Sequence, residues 1–435
     1  MPPLKVLVVG GGIAGPAVAY WLSRIGADIT LIERSPAMRA TGQQIDLRVQ
    51  GVPLMKKMGI EGAVRAARVK EPGMQFIDVH GRTRAFFPAV EDDGTSSSKK
   101  RQSITSEYEI MRADLVGILY GLTMDKPNVW HLYDATITSF TQDDESVADG
   151  KVHICFSDGR TEDYDLVIGA DGTGSRTRRL MLGPDAPDPR RRCGGYIGFF
   201  SVPSQPQDSC RGTMCQLPGR RMPRMIGTRK DCAELTRVYM VTKGDDEAVE
   251  AALKSGDLAQ LKKALADLYA DGLWECGRFM DALLHAPEAD DLYCTPFQEV
   301  HLPKGSWSKG RVVLIGDAAH SATADGLGTT YGLVGAYVLA GEIATLYRKD
   351  PSSPSAAVIQ GAKNYEEVWR PVATAGHGGS QRFDSIMNPK SKLGVKLLLK
   401  FVALAAFIRL DQLIDLDGAG AKWQLPDYPV LAQGQ

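Results

Sequence analysis

A chain of 435 residues with 43% apolar and 24% charged side chains has the composition of an ordinary globular protein, long enough for two or three domains around a sizeable core. Its formal net charge of −1 gives no chain-wide reason to expect nucleic acid, and the basic runs Lys99-Lys100-Arg101 and Arg190-Arg191-Arg192 read as solvated loops. Seven cysteines at irregular spacing, without a CxxC pair or a histidine cluster, indicate neither a metal site nor a disulfide framework and suit a reducing, cytoplasmic setting.

The chain opens on a short apolar run, residues 4–9, which reads as a strand and has no charged leader before it. A helix from about Ile13 to Ile25 and a second strand over 28–33 complete a βαβ unit. Between the first strand and the helix, Gly10, Gly12 and Gly15 fit GxGxxG. The first glycine permits the turn, the second lets a pyrophosphate approach the backbone, and the third allows close helix–strand packing. The helix start then offers unpaired N–H groups to phosphates. Glu33 follows at about the usual distance of 20 residues, where a carboxylate accepts ribose hydroxyls and would repel a 2′-phosphate, so FAD or NAD fits. Arg34 is next to it and points the other way, as a ligand contact or a solvated cation.

Further along, DDGTSSSKKRQS (92–103) reads as a polar surface loop and RADLVGILYGL, from Arg112, as a helix. DYDLVIGADGTGSRTRRLM (163–181) carries a second βαβ-like signal. From about Pro184 the texture changes to strands such as YIGFFSV and RVYMVTK, and helical stretches follow over 245–271. Alternation with a period of two divides Tyr196, Phe199 and Phe200 between core and pocket lining.

The α/β pattern returns at VVLIGDAAHSATADGLGTTYGL (312–333). A strand delivers Gly316-Asp317 to a turn of small residues, where a carboxylate can accept hydrogen bonds from a polyol chain. A helix starting near Gly328 would aim its N–H groups at an electron-rich edge, such as the N1/C2 carbonyl side of a reduced flavin. One extended FAD would connect this turn with the glycine loop some 300 residues earlier. His320, just past the turn, is either a ligand or a packed side chain. The last feature, LGVKLLLKFVALAAFIRL (393–410), is interrupted by Lys396, Lys400 and Arg409. It reads as an amphipathic helix packed on the protein's own domains, with membrane-surface contact as the alternative.

GGGIAG with Glu33, ADGTGSRTR at Asp171-Gly172 and the Gly316-Asp317 turn, in this order and spacing, resemble the single-component FAD-dependent aromatic hydroxylases, the class that includes p-hydroxybenzoate hydroxylase. Within it the chain is most similar to the tetracycline-inactivating monooxygenases, through ATGQQIDLRVQGVPLMKKMGI, GLVGAYVLAGEI and NYEEVWRP (364–371). The resemblance covers most of residues 1–370. It implies an α/β fold: a Rossmann-like FAD-binding domain built from 1–80, 104–187 and 298–375, and an inserted α+β substrate domain with a mixed sheet from 81–103 and 188–297. A C-terminal helical segment, 376–435, would bridge the two. It also implies that Asp46 and Arg112 contact FAD, that Arg39 lies where a cofactor or NADPH phosphate passes, and that Asp171 and Gly172 support FAD and nicotinamide binding. Gln216 would lie in the substrate sheet, with Phe383 and Met387 on a C-terminal segment roofing the pocket; ordinary core packing is the alternative for each.

The activity implied is hydroxylation of an aromatic or polycyclic small molecule in specialised metabolism, by a monomer or homodimer without stable membrane contact. NADPH, or NADH, would bind transiently, and oxygen would be transferred from a flavin C4a-hydroperoxide without any protein nucleophile. The chain departs from the class after GDAAH, where HSATADGLGTTYGL has no proline. That departure keeps open an FAD-dependent oxidase or dehydrogenase, a Baeyer–Villiger-type oxygenase, or a non-redox flavin-binding protein.

Overall fold

Strand Lys5–Val9 lies in the middle of a six-stranded sheet because every side chain after Lys5 is apolar and buried. In the computed structural model, which describes residues 3–38, 42–89, 107–219, 222–230, 234–322, 326–377, 387–410 and 423–432, the strand order is 308–309, 312–314, 166–169, 5–9, 28–32, 129–132. All neighbours are parallel except the first pair, with Val8 opposite Ile168 on one side and Leu31 on the other. The chain leaves strand Lys5–Val9 toward 28–32 and later returns on its other side at 166–169. The strand order therefore reverses there, and reversal opens a crevice at the carboxyl ends of those strands. Helix Ala14–Ser23 is buried along nearly its whole length because its small residues allow it to lie between the sheet and helix Gly328–Lys349. Trp21 packs edge-on against Tyr337 at 4.9 Å, and helix Pro354–Ala373 lies along 328–349.

A second, mixed sheet of seven strands runs in the order 293–300, 190–203, 235–242, 224–230, 212–217, 73–77, 83–88. Its one parallel pairing joins 212–217 to 73–77. The expected boundary between residues 80 and 81 falls in the turn of the hairpin 73–88, and that between 297 and 298 falls inside strand Tyr293–Val300. Helices Glu247–Ser255, Leu258–Tyr269 and Cys276–His285 cover one face, where Tyr196, Phe200, Cys215, Ile226, Val238 and Met240 form a core with Leu265, Phe279 and Leu283. Alternation along the strands puts Phe199, Gln216, Met225, Arg229 and Tyr239 on the opposite face. Of the three aromatics that the sequence divided between core and pocket, Tyr196 and Phe200 are core. Phe199 faces away, stacked on Tyr293 at 5.0 Å.

Helix Lys392–Phe407 packs through Val402 and Ala405 onto Ala85 and Phe87 of strand Thr83–Pro88. Among the described residues, no helix is long and apolar enough to cross a membrane. The architecture is the expected one: an α/β fold with a Rossmann-like parallel sheet, a mixed sheet carrying its own helices, and a C-terminal helix. The polar loop 92–103 lies outside the described residues.

Candidate functional site

The carboxyl ends of strands 5–9, 166–169 and 312–314 bring three turns together. Gly10 has φ +114°, a conformation costly for any residue with a Cβ, and a Cβ there would stand 2.5 Å from the Ala170 carbonyl oxygen. The first loop thus touches the turn that begins at Asp171. A Cβ on Gly15 would stand 1.9 Å from the Gly10 oxygen, so helix Ala14–Ser23 starts directly on the loop. No side chain caps that helix start, which leaves its first N–H groups to a ligand. Glu33, half-buried, accepts from the Gly11 amide at 2.9 Å and the Ser35 amide at 3.0 Å and so holds the loop in shape. Arg34 is exposed. Tyr120 also borders the loop: its hydroxyl would be 2.1 Å from a Cβ on Gly11, a contact that no motif announced.

Gly316, at φ +56°, turns the chain out of strand Val312–Leu314, and a Cβ on it would be 3.2 Å from Ala14. The third turn is therefore seated against the first helix. Asp317 is accessible to solvent yet ringed by protein, as at the floor of a recess. That surrounding mass pushes its carboxyl pKa up, and the Arg112 guanidinium opposes the rise. Arg112 begins helix Arg112–Gly121, donates its amide to the Gln43 oxygen at 3.0 Å, and reaches alongside Gly12, where its Nη2 would be 3.4 Å from a Cβ. Among the described residues, no side chain caps the start of helix Gly328–Lys349 either, and a Cβ on Gly328 would be 3.9 Å from Asp317 Oδ1. A carboxylate, a guanidinium and two open helix starts thus surround one crevice.

Strand Gln44–Asp46 is tied to the same place, since the Arg48 amide donates to Thr330 Oγ1 at 3.3 Å and that hydroxyl donates back to the Arg48 oxygen at 3.1 Å. Asp46 pairs with Arg48 at 3.0 Å through one oxygen, while its buried Oδ1 has no hydrogen-bond partner among the described residues. Asp171 behaves differently. Its carboxylate accepts from the Ser175 hydroxyl, the Arg176 and Thr177 amides at 2.8 and 2.9 Å, and the Thr177 hydroxyl at 3.0 Å. It thereby accepts from the first two amides of helix Arg176–Leu182, whose N-cap Ser175 accepts from the Arg178 amide, and Gly172, at φ +80°, makes the turn before it. Arg178, the last residue of ADGTGSRTR, is fully buried and donates to the Ala318 oxygen at 2.8 Å and the Thr173 oxygen at 2.6 Å. It joins the second turn to the third, a role that its sequence position does not reveal.

The open face of the seven-stranded sheet bears on this region. The Gln44 amide N–H donates to the Tyr239 hydroxyl at 3.3 Å, and Arg229 pairs with Glu71 at 3.1 Å and with Glu109. Burial raises the Glu109 pKa and Arg229 opposes the rise. Two buried amides are short of partners among the described residues: Gln216 at Nε2 and Gln44 at both side-chain polar atoms. A buried amide without a partner costs free energy unless a ligand or water satisfies it, so both are candidate contacts for a bound molecule. Gln216 has the sheet position expected of it; Gln44, Arg229 and Tyr239 are additions that only strand pairing reveals. Met387 is half-buried, whereas Arg39 and Phe383 lie outside the described residues. His320 is packed against Trp307 at 4.9 Å, and burial lowers its pKa to about 3, so the ring is neutral at physiological pH.

These residues suit FAD: a glycine cradle that a Cβ would obstruct, a carboxylate after the second strand, and a second carboxylate beside an open helix start. Comparison with known proteins agrees. Residues 3–190 match the FAD binding domain family. The flavin-dependent monooxygenase eupH of Phoma sp is 42% identical over 433 residues, spanning 99% of this chain and 98% of that protein. The FAD-dependent monooxygenase asL4 of Sarocladium schorii is 36% identical over 447 residues, 99% of each. Among solved structures, tetracycline destructase Tet(55) superposes with a TM-score of 0.73 at 29% identity, covering 98% of this chain and 100% of that one. The chain belongs to the FAD-dependent monooxygenases and is a flavoprotein oxidoreductase.

Proposed function

We propose that the protein uses NADPH and O2 to insert one oxygen atom into an aromatic or polycyclic small molecule. The observation that carries this reading is the meeting of the glycine loop, the Gly316-Asp317 turn and the open start of helix Gly328–Lys349 in a crevice faced by a second sheet, with the buried amides of Gln216 in that sheet and Gln44 in strand Gln44–Asp46 short of partners among the described residues. The N–H groups around Gly10, Gly12 and Gly15 take the pyrophosphate, Glu33 the adenosine ribose, and Asp317 the ribityl hydroxyls, with Asp46 and Arg112 beside them. The N–H groups at Gly328 lie where they can stabilise negative charge on the pyrimidine edge of the ring. When bound, FAD supplies the two-electron chemistry by which one atom of O2 reaches the substrate. NADPH binds only in passing, since the sequence holds one complete strand–GxGxxG–helix signal. Asp171 and Gly172 support both cofactors by shaping the turn.

The six-stranded sheet is then the cofactor domain and the seven-stranded sheet the substrate domain. Gln216 and Gln44 orient polar groups of the substrate, while Phe199 and Tyr239 exclude water from its rings. The test is to purify the protein, record its flavin spectrum, and follow NADPH and O2 consumption with polyphenolic substrates under labelled oxygen. Label in the product supports the reading. An oxidised product without label makes the enzyme a dehydrogenase or oxidase instead.

A further inference from the structure

The C-terminal helix has two apolar faces. Val395, Val402 and Ala405 are buried, the last two on the hairpin 73–88. On the far side, Leu393, Leu397, Phe401, Leu404 and Ile408 recur at steps of four, four, three and four, which is one stripe of a helix. They are 67%, 57%, 55%, 57% and 45% exposed, and Phe407 beside them is 86% exposed. Singly exposed leucines are ordinary, but a continuous stripe of this size marks a surface that meets something apolar.

The charges beside the stripe decide what that is. Lys392, Lys396 and Lys400 stand four apart along one flank, all exposed. From Met387 to Leu410 the sequence carries Lys390, Lys392, Lys396, Lys400 and Arg409 and no acidic residue. A second copy of this helix would offer those lysines no carboxylate, so self-pairing leaves the basic flank unmatched. A surface that is apolar within and anionic at its rim matches both features. Lysine stems can lie along the acyl boundary while their ammonium groups reach lipid phosphates and carboxylates.

We propose that helix Lys392–Phe407 is a membrane-surface anchor that lies flat on anionic phospholipid, its apolar stripe at the acyl boundary and its lysine row among the headgroups. Packing through Val402 and Ala405 onto strand Thr83–Pro88 holds the stripe outward in the free protein, so docking requires no unfolding. The anchor does not rest on the substrate proposed above.

The test is flotation of the full-length protein with vesicles of phosphatidylcholine alone and of phosphatidylcholine enriched in phosphatidylserine, beside sedimentation analysis without lipid. Two double variants alter exposed positions only: Lys396→Gln with Lys400→Gln, and Phe401→Ser with Leu404→Ser. The expected result is binding to the anionic vesicles alone, lowered about thirtyfold by loss of the two lysines, at about 1 kcal/mol for each charge near such a surface. The serine variant abolishes binding while the melting temperature stays unchanged. Absence of vesicle binding, equal binding to neutral vesicles, or binding that survives both variants would overturn the anchor. So would a concentration-dependent dimer that Phe401→Ser with Leu404→Ser dissolves in a protein that ignores lipid, since the stripe would then belong to a second copy.

Discussion

Asp317 is held between two opposed influences: protein mass around it disfavours the carboxylate, and Arg112 favours it. A ligand that brings hydroxyl donors to this oxygen pair relieves the first influence. Hydrogen bonds to a charged group contribute about 1.5–3 kcal/mol, so Asp317→Ala should weaken FAD binding by about 10- to 100-fold, read by quenching of flavin fluorescence on titration. Undiminished affinity would remove Asp317 from the cofactor site. His320 makes a prediction about pH. Its folded pKa, lowered by burial to about 3, lies below the value of about 6.5 expected in the unfolded chain. Between those values the unfolded state binds the extra proton. The stability contribution is therefore complete above about pH 6.5 and declines as pH falls toward about 3, at up to about 1.4 kcal/mol per pH unit. Urea denaturation across this window should show the decline, and His320→Gln should flatten it.

At the scale of elements, the turns are rigid because side chains hold both their ends. Asp171 resembles a cofactor ligand in its motif, yet its carboxylate accepts from Ser175, the N-cap, and from the first turn of helix Arg176–Leu182. Removing such a cap costs about 0.5–2 kcal/mol, so Asp171→Ala should lower the melting temperature of the apoprotein even in the absence of flavin. A residue that acted through cofactor alone would leave the apoprotein unchanged. The strands of the second sheet display the complementary case. Parity along a strand is legible in the sequence, but which parity faces helices and which faces the crevice is not. Gln216 lies opposite in sense to Cys215, which packs under the helices. Its unpaired Nε2 should make Gln216→Ala raise KM by roughly tenfold, equivalent to one hydrogen bond of about 1.4 kcal/mol, with little change in kcat.

Across the whole molecule, the seven-stranded sheet is tied by charge to the strand pair 44–46 and 109–111. Arg229 on the open face of the seven-stranded sheet meets Glu71 and Glu109 from the segments around the cofactor crevice. Arg229→Met leaves two buried carboxylates without their cation and should destabilise the protein by about 3–5 kcal/mol. Glu109 already has a raised pKa, from burial, so without Arg229 it rises further. A raised carboxylate pKa in the folded state destabilises above the unfolded pKa and ceases to do so as pH falls and the group takes up its proton. The variant should accordingly regain part of its lost stability at mildly acidic pH, measured by chemical denaturation at both pH values. Unchanged loss at both would mean that packing of the arginine stem, not charge, makes this contact.

The sequence alone determined what depends on neighbours within one turn or one strand. Gly10 and Gly316 need backbone that favours glycine, the apolar runs 5–9 and 312–314 are strands, and the stretch from Gly328 is a helix. Those local requirements are enough to mark both ends of a dinucleotide site. Only tertiary structure decided the partners made across long separations. Arg178 joins two turns, Gln44 meets Tyr239, Arg229 meets Glu71 and Glu109, and the C-terminal helix leaves one apolar stripe uncovered. The physical reason is that a side chain's type and period limit what it can bury, but its partner is chosen by strand order and sheet packing, which no local spacing encodes.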